Sequence, residues 1–342
     1  MAGPDQGFLA ELKDAVKPRA ALMVIAVLLL QLGFITSYVG ALHHPTPHQL
    51  SISVVAPPQV SPKLVAGLES VPNDAVKAGA VESPQAATDL LKDQKIYAAL
   101  VFNPKGTEDT LLVASARSAS VATAAEQIVT GLEKTQNRTV KIQDVAPLAA
   151  GDGRGLSSFY LVVGWCVGGY LVASILGISA GARPANRHRA LIRLGALALY
   201  SVAAGIGGTI LVGSVLGALP GSSAELIGLG SLVVFATGAI TMALQSLFDV
   251  IGIGLAVLIF VVLGNPSAGG VYAPPLLPPF WRAIGSWIPN GAGTDATRSI
   301  AYFDSTNIAA PLLVLGAWAV LGIAVTMLAV LRGPRGGREL AN

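Results

Sequence analysis

The chain has 342 residues, 53% of them hydrophobic and only 12% charged, with a mean hydropathy of +0.64 and a net charge of +3. Soluble domains carry about 25% charged residues, so the composition excludes an ordinary soluble enzyme and a nucleic-acid-binding protein and points to a polytopic membrane protein. The single cysteine, Cys166, excludes an internal disulfide.

Residues 1–19 read as a cytoplasmic amphipathic helix. Phe8, Leu9, Leu12 and Val16 share one face, Glu11, Lys13, Asp14 and Lys17 take the other, and Pro18 ends the pattern. Such a helix lies in the lipid interface or docks a cytoplasmic partner. Residues 20–42 form the first predicted span. The run is longer than a signal-peptide core of about 7–15 residues and lacks a clean small-x-small cleavage site, so it reads as a retained anchor.

Residues 43–156 are polar enough to form a domain outside the membrane. His43, His44 and His48 (HHPTPH) sit at its start, but Pro45 and Pro47 disfavour a metal geometry and no carboxylate is adjacent, so no metal is assigned. Strands are expected at 50–56, 75–81, 96–102, 110–115 and 139–145, and helices at 61–68, 83–93 and 118–135. This predicts a small α/β extracytoplasmic domain of five strands and three helices. Gly151, Gly153 and Gly155 lead flexibly into the membrane.

A five-helix membrane domain is expected over 157–331, with spans at 157–181, 192–218, 224–247, 249–264 and 309–331. The run 226–263 is too long for one helix and reads as a hairpin turning near Gln245–Asp249. The span that follows is then about 22 Å long at 1.5 Å per residue, short of a bilayer core of about 30 Å. Prolines at 274, 275, 278 and 279 forbid a continuous helix over 265–308. That segment, with Trp281 and Trp287, reads as a re-entrant or interfacial segment packed on the bundle. Glycines four apart, at 164/168, 177/181 and 213/217, are expected to let helices approach closely.

Six spans place both termini on one side. Lys13, Lys17, Arg19, Arg183, Arg187, Arg189, Arg193, Arg332, Arg335 and Arg338 flank the spans on that side, against Arg282 and Arg298 in the opposite short connections. The bias makes the termini, including the basic tail 332–342, cytoplasmic and the 43–156 domain external.

No P-loop pattern is present, so any ATP-driven transport draws on another subunit. No chain of ionisable residues crosses the spans, which counts against a proton-coupled carrier. No catalytic, cofactor or metal residues are assigned, and the chain is not read as an enzyme.

The layout resembles the membrane (permease) subunit of type-2 ATP-binding-cassette exporters, and more narrowly the phage-infection-protein-like (YhgE/Pip-like) branch. The residues that carry the resemblance are IYAALVFNP at 96–104, GNPSAGG at 264–270, LLPPFWRAIGSWIPNG at 276–291 and ATRSIAYF at 296–303. Phe102 stands where the branch usually has Ile, and no Phe-Ser pair follows Pro104.

The resemblance implies a permease in the bacterial plasma membrane, a separate P-loop ATPase, and a homo- or heterodimer in membrane lipid. Phe8 and Leu12 of the N-terminal helix and Arg183, Arg187 and Arg189 of the loop after the second span are candidate ATPase-docking residues. Asn265, Pro266 and Arg298 are candidate outer-gate residues, for which a packing role is the competing reading. The substrate expected is apolar or amphipathic. A competing reading is a cell-envelope scaffold or receptor, secretion-system or phage-receptor-like, with the outside domain as its binding module.

Overall fold

The computed structural model describes residues 18–331. The amphipathic helix with Phe8 and Leu12, and the basic tail 332–342, lie outside the described residues.

The first long helix, α1 (Pro18–Leu42), leads into an α/β domain. Its strands are β1 (Leu50–Val55), β2 (Val76–Ala80), β3 (Ala98–Val101), β4 (Glu108–Val113) and β5 (Thr139–Asp144). They form one sheet in the order β2-β1-β3-β4-β5, parallel except for the β3–β4 pair, where Ala98 faces Val113 and Val101 faces Thr110.

Alternation along the strands sends side chains to two faces. Leu50, Ile52, Val54, Leu100 and Leu111 meet helices α2 (Ser61–Glu69) and α4 (Ala119–Thr135) on one face. Val55, Ala99 and Leu112 meet α3 (Pro84–Lys92) on the other. Ser83 caps α3 by accepting from the Ala86 N–H at 3.1 Å, with Pro84 in the first turn where its missing N–H costs nothing. Ser118 caps α4 in the same way through the Val121 N–H. The five strands and three helices match the sequence expectation.

The remaining helices are α5 (Ser157–Ala180), α6 (Arg187–Ile210, running on as a π turn to Val215), α7 (Ser223–Phe248), α8 (Ile251–Val257), α9 (Gly264–Ser267), α10 (Pro279–Gly285), α11 (Pro289–Tyr302) and α12 (Ala309–Leu331). Five helices, α1, α5, α6 with its π turn, α7 and α12, are long and apolar enough to cross a membrane. The fifth predicted span, 249–264, is a shorter apolar run, Ile251–Ser267, about 25 Å long at helical rise. It is α8, a π-helical stretch (Leu258–Leu263) and α9 in succession.

Helix α7 is the central post: 72% of its most apolar stretch is buried, against 6% for α1. Helices α5, α6 and α12 all pack on it. A Cβ added at Gly169 of α5 would stand 2.5 Å from the Val234 carbonyl, and one at Gly322 of α12 would stand 2.5 Å from the Ala239 carbonyl carbon. The absent side chains are what let these backbones meet. Of the glycines paired by spacing, Gly177 makes such an approach, a Cβ there standing 2.5 Å from the Gln245 amide of α7, and Gly168 lies against Tyr200, while Gly164, Gly213 and Gly217 meet nothing within 4 Å.

The hairpin turns at Asp249, which has φ +57°, while Gln245 and Ser246 stay inside α7 and are buried. The third span starts at Arg187 rather than 192, so Arg187, Arg189 and Arg193 belong to the first two turns of α6.

Candidate functional site

Residues 264–308 join the α/β domain to the helices. Ala273 and Leu276 enter the core beneath the β1–β3 face of the sheet, and Phe303 enters the core on its opposite face. Backbone and side-chain bonds fasten the same junction. The His48 N–H donates to the Pro275 carbonyl at 2.9 Å, Asn307 Nδ2 to the Asp93 carbonyl at 2.6 Å, and the Tyr302 hydroxyl to Asp152 at 3.0 Å. Asp152 also accepts from the Ser157 N–H at 2.9 Å, placing a carboxylate at the start of α5 where the helix dipole favours it. The segment packs on the bundle, as the sequence suggests, and also on the α/β domain, which the sequence reading had not anticipated.

Asn265 and Pro266 lie where the broken helix meets α1. Pro266 has no N–H to offer the Val262 carbonyl four residues earlier, and Ser37 Oγ of α1 donates to that carbonyl at 2.5 Å. The π stretch leaves a second carbonyl, that of Phe260, which accepts from Asn290 Nδ2 at 2.9 Å. Asn290 also donates to Asn265 Oδ1 at 2.7 Å, and Asn265 Nδ2 donates to the Tyr38 hydroxyl at 2.9 Å. Trp281 Nε1 donates to Ser37 Oγ at 3.1 Å. Irregular backbone among apolar helices is tolerated because these side chains satisfy it. Ser37, Tyr38 and Asn290 were not singled out in the sequence; the signal was a pair of polar residues ending an apolar helix.

Arg298 is buried, and its guanidinium donates to the carbonyls of Gly269 at 2.8 Å and Gly270 at 3.2 Å. It therefore clamps the proline-rich loop rather than making a close ion pair with Asp295 or Asp304. Beside it a cavity of about 360 Å³ opens between the α/β domain, α11 and the start of α12. Tyr97, Arg117, Trp287, Asp295, Arg298 and Val314 are among its walls. Arg117 donates to the Ile96 carbonyl at 2.6 Å, and its guanidinium lies 3.7 Å from the centre of the Tyr97 ring, a cation–π contact. Burial pushes the Tyr97 hydroxyl up from its ordinary pKa, and the Arg117 charge opposes this.

On the opposite side of the bundle lies the connection between α5 and α6. Arg193 is buried and donates to the Ala180 and Gly181 carbonyls, satisfying the end of α5. Arg183 is half-buried and donates to the Ala329 carbonyl near the end of α12. Arg187 and Arg189 are exposed, with Asn186 capping the helix beneath them through the Arg189 N–H at 2.9 Å. The loop thus separates structural arginines from surface ones. His43 Nδ1 lies 2.7 Å from the Val39 carbonyl and His48 Nδ1 3.9 Å from Asp74, and among the described residues no group of three metal-ligating side chains forms.

Among curated proteins no match is found. A family model does match, that of the ABC-2 family transporter protein, over residues 20–328. The matched range runs from α1 through the α/β domain and the outer segment into α12. The chain belongs to the ABC-2 transporter family and is a multi-pass membrane permease subunit.

Proposed function

We propose that this permease subunit belongs to an exporter, moves an apolar or amphipathic substrate outward, and is driven by a separate P-loop ATPase. Family membership over residues 20–328 carries the reading, since ABC-2 membership implies partnership with an ATPase subunit. The segments quoted above favour the phage-infection-protein-like branch within it. Three features support the finer parts. The buried polar groups of α7, Thr237, Thr241, Gln245 and Ser246, are uncharged, and so suit a substrate without a strong charge to pair. The charge bias places the α5–α6 connection in the cytoplasm and the α/β domain outside. Arg187 and Arg189 are exposed for an acidic partner surface, and the N-terminal segment Asp5–Lys17, outside the described residues, is the second candidate docking element. The working unit is a homo- or heterodimer in the bacterial plasma membrane.

Affinity purification from native membranes in mild detergent, with mass spectrometry of what accompanies the chain, tests the reading. A stoichiometric P-loop ATPase is the expected companion. The Arg187→Glu/Arg189→Glu double variant should keep its fold, since neither side chain is buried, and lose most of that ATPase, because reversing two interface charges costs several kcal/mol. Envelope or secretion proteins in place of an ATPase would overturn the exporter reading in favour of an anchored scaffold.

A further inference from the structure

The cavity under the α/β domain contains one charged group without a protein partner. From Pro289 to Ala301, helix α11 is buried at every position except Asp295. Its neighbours Thr294 and Ala296 are fully buried, whereas Asp295 is exposed and lines the cavity. No hydrogen bond or ion pair within 4 Å engages its carboxylate among the described residues.

The cationic groups nearby are already committed. Arg298 holds the Gly269 and Gly270 carbonyls, and Arg117 holds the Ile96 carbonyl and stacks on Tyr97. Asp152, which faces Arg298 electrostatically, is taken up by Tyr302 and the Ser157 N–H. Arg298 and Arg117 also face Asp295 electrostatically, but neither donates a hydrogen bond to it, so its carboxylate is the acceptor left open. A carboxylate exposed to the cavity with no protein donor is open to a guest that supplies one.

The rest of the wall joins polar side chains, Gln94, Ser286, Ser299, Thr306 and Asn307, to an apolar part. Pro274, Ala310, Pro311 and Val314 line it, and Trp287, 70% exposed, stands at its edge. A volume of about 360 Å³ lies within the range of small-molecule sites, about 300–1,000 Å³.

We propose that this cavity binds an amphiphile with a primary-amine head, the ammonium paired with Asp295 and the apolar body laid against Trp287, Pro311 and Val314. The paired ammonium replaces the missing donor, and the edge at Trp287 gives an alkyl chain a path out toward the helices. Binding is a property of this chain alone, so it stands apart from the exporter reading and is measured without an ATPase or nucleotide.

The test uses the full chain in nanodiscs of phosphatidylcholine, titrated with octylamine, octanol and octanoate and followed by saturation-transfer NMR. Octylamine should bind at least about tenfold more tightly than the other two, about 1.4 kcal/mol. Asp295→Asn should bring octylamine down to the level of octanol, and Val314→Trp, which fills the cavity without changing its charge, should weaken all three. Phosphatidylethanolamine added to the disc distinguishes the source: competition with octylamine assigns the site to a lipid headgroup, and no competition assigns it to a free amine. Octanoate binding as tightly as octylamine would show that the arginines define the site and would overturn the proposal. So would octylamine affinity unchanged in both variants.

Discussion

Within the α/β domain, Glu133 and Asp109 are both fully buried and share one arginine. Arg138 donates to both oxygens of Asp109, at 2.5 and 2.7 Å, and the Asn103 N–H adds a third bond at 2.7 Å. Burial raises the Asp109 pKa, but these bonds outweigh it and hold the carboxyl below its usual range. Glu133 stands 3.6 Å from Arg138, and neither of its oxygens has a hydrogen-bond partner. Burial, and then the Asp109 charge, push it from 4.5 up to about 7. A carboxyl whose folded pKa exceeds its unfolded value favours folding below the unfolded pKa, and that stability is lost as pH rises through the folded one. Thermal melts of the full chain should therefore fall in midpoint between pH 4.5 and 7. Glu133→Gln keeps the shape, offers Asp109 a donor, and should flatten that slope while raising stability at pH 8 by about 1–3 kcal/mol. A native midpoint that does not change over this window would show that Glu133 titrates normally.

Among the elements, the strands and helices of the α/β domain were legible because their apolar residues repeat with period 2 or 3.6. Ser83 and Ser118 also announced their helices. Strand ends moved by up to two residues, as at β3, where Ile96 and Tyr97 precede the ladder. The bundle helices were legible as spans but not as packing. An apolar helix such as α5 or α7 shows no polar face to say which side meets its neighbours, so glycine spacing pointed to Gly177, which does meet α7, and equally to Gly164, which does not, and passed over Gly169. The difference is testable. Gly169→Leu and Gly322→Leu each place a side chain against α7 backbone and should lower stability by at least the roughly 1–3 kcal/mol of overpacking. Gly164→Leu, with open space around its Cβ, should be close to neutral. Equal losses at all three positions would mean that α7 is not the shared contact. The same limit applied to the candidate site. Asn265, Pro266 and Arg298 stood out as polar or helix-breaking residues in an apolar stretch, but Tyr38, the partner of Asn265, lies 227 residues away and no local pattern links them. Asp295 and Arg298 sit three apart on one helix, yet only the folded chain shows that one is clamped on carbonyls and the other left open.

At the scale of the whole molecule, the outer segment makes the α/β domain and the bundle mechanically continuous. Leu276 sits in one core of the sheet, Phe303 in the other, and α11 between them packs on α5, α7 and α12. A movement of the helices therefore reaches the domain through residues 264–308 rather than through the glycine-bearing lead at 151–155 alone. Such a device has meaning only if the domain and the α5–α6 loop lie on opposite sides of the membrane, and the fold gives a direct way to establish this. Lys92 precedes α5 and His188 follows it, both exposed, with one 24-residue helix crossing between their segments. That helix is about 36 Å long, enough to span a core of about 30 Å. Cys166 is buried and gives a silent background for added thiols. A membrane-impermeant maleimide should label Lys92→Cys in intact cells and His188→Cys only after permeabilisation, because the basic residues cluster on the His188 side. The reverse pattern would put the α/β domain in the cytoplasm and remove Arg187 and Arg189 from any ATPase, while labelling of both from one side would mean that α5 does not cross at all.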